Sequence, residues 1–322
     1  CRLTGERLGY FGWPTVARLD DGAMLVVSSG LRTEHVCPWG KTVLNVSADD
    51  GRTWTAPCVI NDSPLDDRDA GIVCLGGPRL MVSWFTSDTR VYRRADWCVK
   101  WAEADNWDAV LSTWTDKLVR QWLGSWLMFS NDSGKTWGRP VRAPVSAPHG
   151  PVRLANGDLL YLGRPMGPDV DQAARTAEAW RSTDAGMTWH EQGRVPAPAG
   201  AQGVNNDEPH VIELPDGRLV GMIRFESYGH AEHFTVYQTD SGDGGKTWSV
   251  PRSLGICGSP PHLMRHSSGT LIMTYGYRKA PFGQRVAFSK DDGATWEHDW
   301  IIRDDAPDSD LGYPSTVELA DG

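Results

Sequence analysis

One octet, Ser-x-Asp-x-Gly-x-Thr-Trp, recurs five times along the chain, and no other feature limits the possible folds so sharply. The copies run Ser47–Trp54, Ser130–Trp137, Ser182–Trp189, Ser241–Trp248 and Ser289–Trp296. Self-similarity at spacings of this size marks a solenoid or a propeller. The residue types describe a hairpin turn. The Asp folds its carboxylate back onto turn N–H groups, the Gly supplies a positive φ, and the Trp packs as an apolar plug under the turn.

A second, looser repeat interleaves with the octet: an apolar run, a Gly-containing turn, and another apolar run. It starts at Val16, Ile72, Val152, Val211, Leu263 and Val317. Each copy reads as the innermost strand of a blade, a tight hairpin and the second strand, which puts the octet at the turn between strands three and four. Six inner strands and five octets predict an all-β, six-bladed β-propeller whose last blade is incomplete at Gly322. The abundance of Gly (35) and Pro (21) suits many short strands, so the 322 residues read as one domain, 1–322, although length alone would allow two. Residues 99–126 break the pattern. Trp107, Val110, Leu111, Trp114, Leu118 and Trp122 fall at helical spacing, which predicts a helical insertion in blade two, packed outside the propeller or walling its cleft.

The formal net charge of −9 excludes a general affinity for nucleic acid or an anionic membrane, because no basic field draws phosphates in. It does not exclude an anionic sugar, since a few arginines focused in a cleft outweigh the average. No apolar run is long enough to span a bilayer. Cys1, Cys37, Cys58, Cys74, Cys98 and Cys257 are scattered, with neither a disulfide framework nor metal-ligand spacing. No metal and no cofactor is expected, and the oligomeric state is open. Cys1 at the first position fits the lipidated cysteine of an exported protein as well as upstream trimming, so the compartment is open, with export favoured over the cytoplasm.

In a propeller the inner strands surround a central channel, so residues just ahead of each apolar run converge on one face. Those positions hold Gly12-Trp13-Pro14, Asp66-Asp67-Arg68-Asp69, His149-Gly150-Pro151, Asn206 to His210, Pro261-His262 and Gly312-Tyr313-Pro314-Ser315. Arg32, Glu34 and His35 follow the second strand of blade one. Arg224 closes that of blade four, and Arg278 and Arg285 follow in blade five. So many charged groups at one end of apolar strands point to a site.

The octet resembles the Asp-box, or BNR repeat, of the sialidase (neuraminidase) superfamily, and the resemblance spans nearly the whole chain. It implies an exo-acting glycoside hydrolase working on a carboxylate-bearing sugar, sialic acid or a relative, at the central cleft. Sialidases place a Glu ahead of one inner strand and an Arg at the end of the next, as Glu208 and Arg224 stand here, and a Tyr ahead of the last, as Tyr313 does. The resemblance implies Tyr313 as nucleophile and Glu208 as the base that activates it, the tyrosine exception among glycosidases. Arg224 with Arg278 or Arg285 would grip the substrate carboxylate. Two departures stand out. The Arg-Ile-Pro of sialidases is replaced by Gly12-Trp13-Pro14, leaving Arg32 or Arg68 to fill the gap. The loop before the first octet offers Glu34 or His35 as acid/base where sialidases carry an Asp. Asp67, Arg68, His149 and His210 complete the expected substrate-binding set. Two other readings remain open: a uronic-acid or other sugar-acid glycosidase or lyase using a His–Tyr pair, and a carbohydrate-binding propeller without catalysis.

Overall fold

A computed structural model of the chain describes residues 7–170, 176–198, 205–226 and 234–322. Its strands form five antiparallel four-stranded sheets, each following the chain from one edge to the other. The first contains β1 (Tyr10–Arg18), β2 (Met24–Arg32), β3 (Lys41–Ser47) and β4 (Cys58–Asn61). The second contains β5 (Asp66–Gly76), β6 (Arg79–Ser87), β7 (Gly124–Ser130) and β8 (Val141–Arg142). The third contains β9 (Val152–Arg153), β10 (Leu159–Gly163), β11 (Glu178–Ser182) and β12 (His190–Arg194). The fourth contains β13 (Asn205–Glu213), β14 (Leu219–Glu226), β15 (Thr235–Ser241) and β16 (Arg252–Cys257). The fifth contains β17 (Pro261–Arg265), β18 (Leu271–Tyr277), β19 (Gly283–Ser289) and β20 (Glu297–Arg303). Successive sheets meet through their first strands, β1 on β5, β5 on β9 and β13 on β17.

The architecture is a β-propeller with five blades among the described residues, not the six expected. The segment from Tyr313 to Leu319 reaches the place between blades five and one. There the Val16 N–H donates to Ser315 Oγ (3.2 Å) and His262 Nδ1 lies 3.1 Å from Thr316 Oγ1. Among the described residues no second strand supplies it with ladder bonds, and it is not part of a sheet.

The core lies between blades. Leu25, Leu44, Ile72, Leu80 and Trp84 join blades one and two; Leu160, Leu162, Ile223 and Trp248 join three and four; Val220, Met222, Leu263 and Met273 join four and five. Each octet sits at a third-to-fourth-strand turn. In the first, Asp49 accepts from the Thr53 N–H (2.8 Å) and hydroxyl (2.6 Å), while Ser47 Oγ accepts from the Gly51 N–H (2.9 Å). The other four repeat that pattern. The octet Trp faces the preceding blade, which explains its uneven burial. Trp248 has blade three beneath it and is 8% exposed, whereas Trp54 on blade one has only the 315–319 segment and is 40% exposed.

Between β6 and β7 the chain forms three short helices, α1 (Val99–Ala104), α2 (Trp107–Leu111) and α3 (Asp116–Trp122). Asn106 at φ +53° breaks the first from the second, and the Thr115 hydroxyl caps the third by accepting from the Leu118 N–H. Trp107, Ala102 and Cys98 pack against Val36 and Cys37, so this region backs the blade-one loop that carries His35. No helix of the described residues is long and apolar enough to cross a membrane.

Candidate active site

Four side chains are thrown into the mouth of the propeller by one backbone device. Trp13, Asp69, Glu208 and Tyr313 each stand six residues before the leucine that ends their apolar run (Leu19, Leu75, Leu214 and Leu319). All four are non-glycine residues with left-handed φ, of +55°, +51°, +48° and +62°. In the first three the ladder slips at the same place, between Gly12 and Thr15, Arg68 and Gly71, and Asp207 and His210. These are bulges that turn one side chain out of the sheet and toward the axis. Pro14, Pro209 and Pro314 follow three of them, which disfavours right-handed helical backbone in the residue before and leaves no N–H unpaired at the bulge. Left-handed backbone at a Trp, a Glu or a Tyr costs on the order of 1–3 kcal/mol, and its repetition in three blades and in the 313–319 segment is the pattern of a functional site.

At the centre, the Tyr313 hydroxyl donates to Glu208 Oε1 at 2.5 Å, and Arg224 Nη1 donates to Glu208 Oε2 at 2.6 Å and to the Tyr313 oxygen at 3.3 Å. Arg224 Nη2 donates to Glu226 at 2.8 Å. Burial pushes the Glu208 carboxyl up, but Arg224 and the Tyr313 hydroxyl outweigh it and hold Glu208 below the usual carboxylate range. Burial, then the Glu208 charge, drives the Tyr313 phenol well above its ordinary value. The phenol is therefore neutral at rest, with an ionised carboxylate in place to take its proton. The Arg224 and Arg278 guanidinium groups each lie 4.8 Å from the Phe234 ring centre, and Arg278 is anchored by the carbonyls of Ser259 and Ser309.

Trp13 forms the opposite wall. Its indole meets Tyr313 edge-on at 6.1 Å and His35 at 5.1 Å, and the Arg68 guanidinium covers it at 4.3 Å. His35 Nδ1 lies 2.9 Å from Asp310 Oδ1 and His35 Nε2 lies 3.3 Å from Arg68 Nη2. Burial, joined by Arg68, lowers the His35 pKa. Glu34 is half-buried next to His35, close enough to the Tyr10 phenol to affect its ionisation. A cavity of about 480 Å³ reaches Trp13, Asp310 and Tyr313, but the rest of its lining is Tyr10, Phe11, Val26, Asn45 and Gln284 and their neighbours, not Glu208, Arg224 or Arg68.

Tyr313, Glu208, Arg224, Arg278, Arg68 and His35 thus come together from distant parts of the chain, and other expected site residues do not. Arg32 is fully buried. It forms a two-pronged pair with Asp66 (2.5 and 2.9 Å) and donates to the carbonyls of Glu34, Asp67 and His35, so its guanidinium points inward. Asp67 turns away from the channel to accept from Asn61 and Ser63. Arg285 donates to the carbonyls of Pro281, Gln284 and Arg303 beneath Tyr277. His149 and His210 lie on the axis beside His262, with ring centres 4.5–5.5 Å apart, and all three are buried. No His, Cys, Asp or Glu cluster among the described residues is arranged to hold a metal.

Sequence reasoning placed Asp69 at a blade mouth without giving it a role, and passed over Glu226 and Asp310. The signal for Asp69 was present: it holds the same place relative to Leu75 as Glu208 does to Leu214. Asp310 lies in a loop that only tertiary structure brings against His35.

The BNR repeat-like domain family matches residues 110–322. Among solved structures, a protein of unknown function from Dyadobacter fermentans is similar at 22% identity, with a TM-score of 0.74 over 98% of this chain and 88% of that one. The NanB sialidase of Streptococcus pneumoniae is similar at 15% identity, with a TM-score of 0.68 over the whole of this chain but 65% of that one. The intramolecular trans-sialidase of Ruminococcus gnavus is similar at 16% identity, with a TM-score of 0.60 over 91% and 84% of the two chains. No curated protein matches. With the Asp-box hairpins, the bulged inner strands and the matched family all in the same chain, this protein belongs to the BNR repeat-like domain family and shares the β-propeller fold of those sialidases.

Proposed function

We propose that the chain is a sialidase-like exo-glycoside hydrolase acting on a sugar that carries a carboxylate. The observation that carries this reading is the Tyr313–Glu208–Arg224 constellation, a phenol hydrogen-bonded at 2.5 Å to a buried carboxylate that an arginine keeps ionised. In the reaction Glu208 takes the phenolic proton as the Tyr313 oxygen bonds to the anomeric carbon and the bond from that carbon to the aglycone oxygen breaks, the aglycone leaving as an alcohol with a proton from Glu34 or His35. Water, giving its proton back to that acid/base, then displaces Tyr313, and Glu208 returns the phenolic proton. A phenol, neutral until it reacts, meets an anionic sugar with less repulsion than a carboxylate would. Arg224 and Arg278 face the substrate's acid group, with Arg68 on the far side against Trp13. Arg32, Arg285 and Asp67 hold loops, and His149 and His210 form the floor beneath.

One observation favours a sugar acid other than sialic acid. The first inner strand presents Trp13 where the sialidase pattern has an arginine nearby, and Arg32 is locked inside, so the positive clamp is smaller. A uronic-acid glycoside, cleaved by hydrolysis or by elimination with His35 and Tyr313 handling protons, fits this narrower clamp. Elimination would leave an ultraviolet-absorbing unsaturated sugar and hydrolysis would not.

The test is a panel of fluorogenic sialosides and uronides with the parent and Tyr313→Phe. Loss of turnover by about 10²–10⁴-fold with sugar binding retained supports the hydrolase. A parent inactive on the whole panel that still binds sugar acids makes the chain a binding propeller instead.

A further inference from the structure

The geometry points to His35 and Asp310 as positioning residues that aim Arg68 at the acid group of the sugar, so that this pair sets the selectivity for an anionic ligand. The inference deepens the reading above and rests on it. Arg68 differs from the other two arginines of the mouth. Arg224 is paired with Glu208 and Glu226, and Arg278 is held by the carbonyls of Ser259 and Ser309. Among the described residues no carboxylate lies within ion-pair distance of Arg68, and its Nε is buried without a hydrogen-bond partner. A guanidinium left in that state at the mouth of a site is ready to take both oxygens of a carboxylate.

What fixes its direction is uncharged. Trp13 lies against its face at 4.3 Å, and its Nη2 lies 3.3 Å from His35 Nε2. A guanidinium has only donors, so Nε2 accepts and the His35 proton sits on Nδ1. Nδ1 is the atom that lies 2.9 Å from Asp310 Oδ1. The carboxylate thereby selects the tautomer that can receive Arg68, as an outer carboxylate does for a metal-bound histidine. Burial, joined by Arg68 and opposed by Asp310, holds the His35 pKa below its ordinary value, which keeps the ring neutral and able to accept. With both ring nitrogens engaged, His35 has no proton for the aglycone, and of the two groups considered for that step Glu34 is left to supply it.

The loop that carries Asp310 also holds the second cation. The carbonyl of Ser309, the residue before it, accepts from Arg278 Nη1 at 2.8 Å. Asp310 itself is within electrostatic reach of both Arg278 and Arg68. Two neighbouring residues thus tie down Arg278 of blade five directly and Arg68 of blade two through His35, and the span between the two guanidinium groups is set by one short stretch of backbone.

Two measurements decide the assignment. In the first, heteronuclear NMR of the histidine side chains reads the His35 tautomer near neutral pH. A neutral ring protonated on Nδ1 is required, and a proton on Nε2 overturns the assignment whether or not the chain turns over a sugar. In the second, titration calorimetry compares N-acetylneuraminic acid and glucuronic acid, each against its own carboxamide. Asp310 is an exposed loop residue, so its replacement leaves the core untouched. Asp310→Ala should lower the preference for acid over amide by about 10–100-fold, the range for a hydrogen bond to a charged group, with amide binding changed less than about twofold. Asp310→Asn keeps an acceptor oxygen for Nδ1 and should hold the preference within about threefold of the parent. An unchanged preference in the Ala variant, an equal loss for acid and amide, or an Asn variant no better than Ala overturns the role. A parent that binds neither acid sinks the sugar-acid reading and the positioning role together, whereas a parent that prefers an acid but carries the His35 proton on Nε2 sinks only the latter.

Discussion

Acid should loosen this propeller along its axis, and His210 is where the effect can be isolated. Its Nδ1 accepts the Leu263 N–H at 3.0 Å, and its ring stacks on His262 at 4.5 Å with His149 5.5 Å away. Burial lowers the His210 pKa from 6.5 to about 4, and burial together with the neighbouring imidazoles lowers those of His149 and His262 further. The unfolded chain therefore binds a proton at His210 that the folded chain refuses. Stability from this residue is intact above pH 6.5 and is lost as the pH falls toward 4. The gap corresponds to roughly 3 kcal/mol at the acid limit, of which about 2 kcal/mol is felt between pH 7 and pH 5. Asp67 and Asp69, both raised to about 7 chiefly by burial, act in the opposite sense, because in that range they bind protons more readily folded than unfolded. The parent's pH profile alone is thus not diagnostic, and its difference from a variant is. His210→Asn keeps an acceptor for the Leu263 N–H but cannot be protonated. Urea denaturation at pH 7 and pH 5 should show the parent losing about 2 kcal/mol more than the variant over that interval. Equal losses in the two proteins would refute the reasoning.

Further outcomes follow from particular contacts. Arg32→Met strands the fully buried Asp66 and should cost about 3–5 kcal/mol in denaturation, whereas a substrate ligand would raise KM and leave stability unchanged. Trp248→Ala should cost about 3–5 kcal/mol and Trp54→Ala clearly less, although both end an identical octet, because only the first has a full sheet beneath it; equal losses in thermal melts would contradict the inter-blade packing.

How much of the site could be read in advance depended on whether a residue's role is set locally or at a distance. The octets carry their own hydrogen bonds within eight residues, so the Asp, Gly and Trp roles followed from residue type, and with them the hairpins and the propeller. Glu208, Arg224 and Tyr313 were legible because each is tied to an apolar run whose direction the repeat already determined. The run 99–126 showed its helical spacing, but the breaks at Asn106 and Thr115, and the packing on Val36 and Cys37, depend on what lies beneath.

Position along a repeat determines which end of a strand a side chain occupies; it does not determine which way a guanidinium turns there. Arg32 and Arg68 both reach blade mouths, yet Asp66 draws the first inward while Trp13 and His35 hold the second in the cleft. The bulges at Trp13, Asp69 and Glu208 likewise need a neighbouring strand against which to slip, a partner that no single segment contains. Sheet count is of the same kind. The 315–319 stretch has the residues of an inner strand, but a strand becomes a sheet only when another backbone satisfies its N–H and C=O groups. Local composition thus determined the repeating turns and the chemical groups at the mouth, and long-range pairing decided which of those groups face one another.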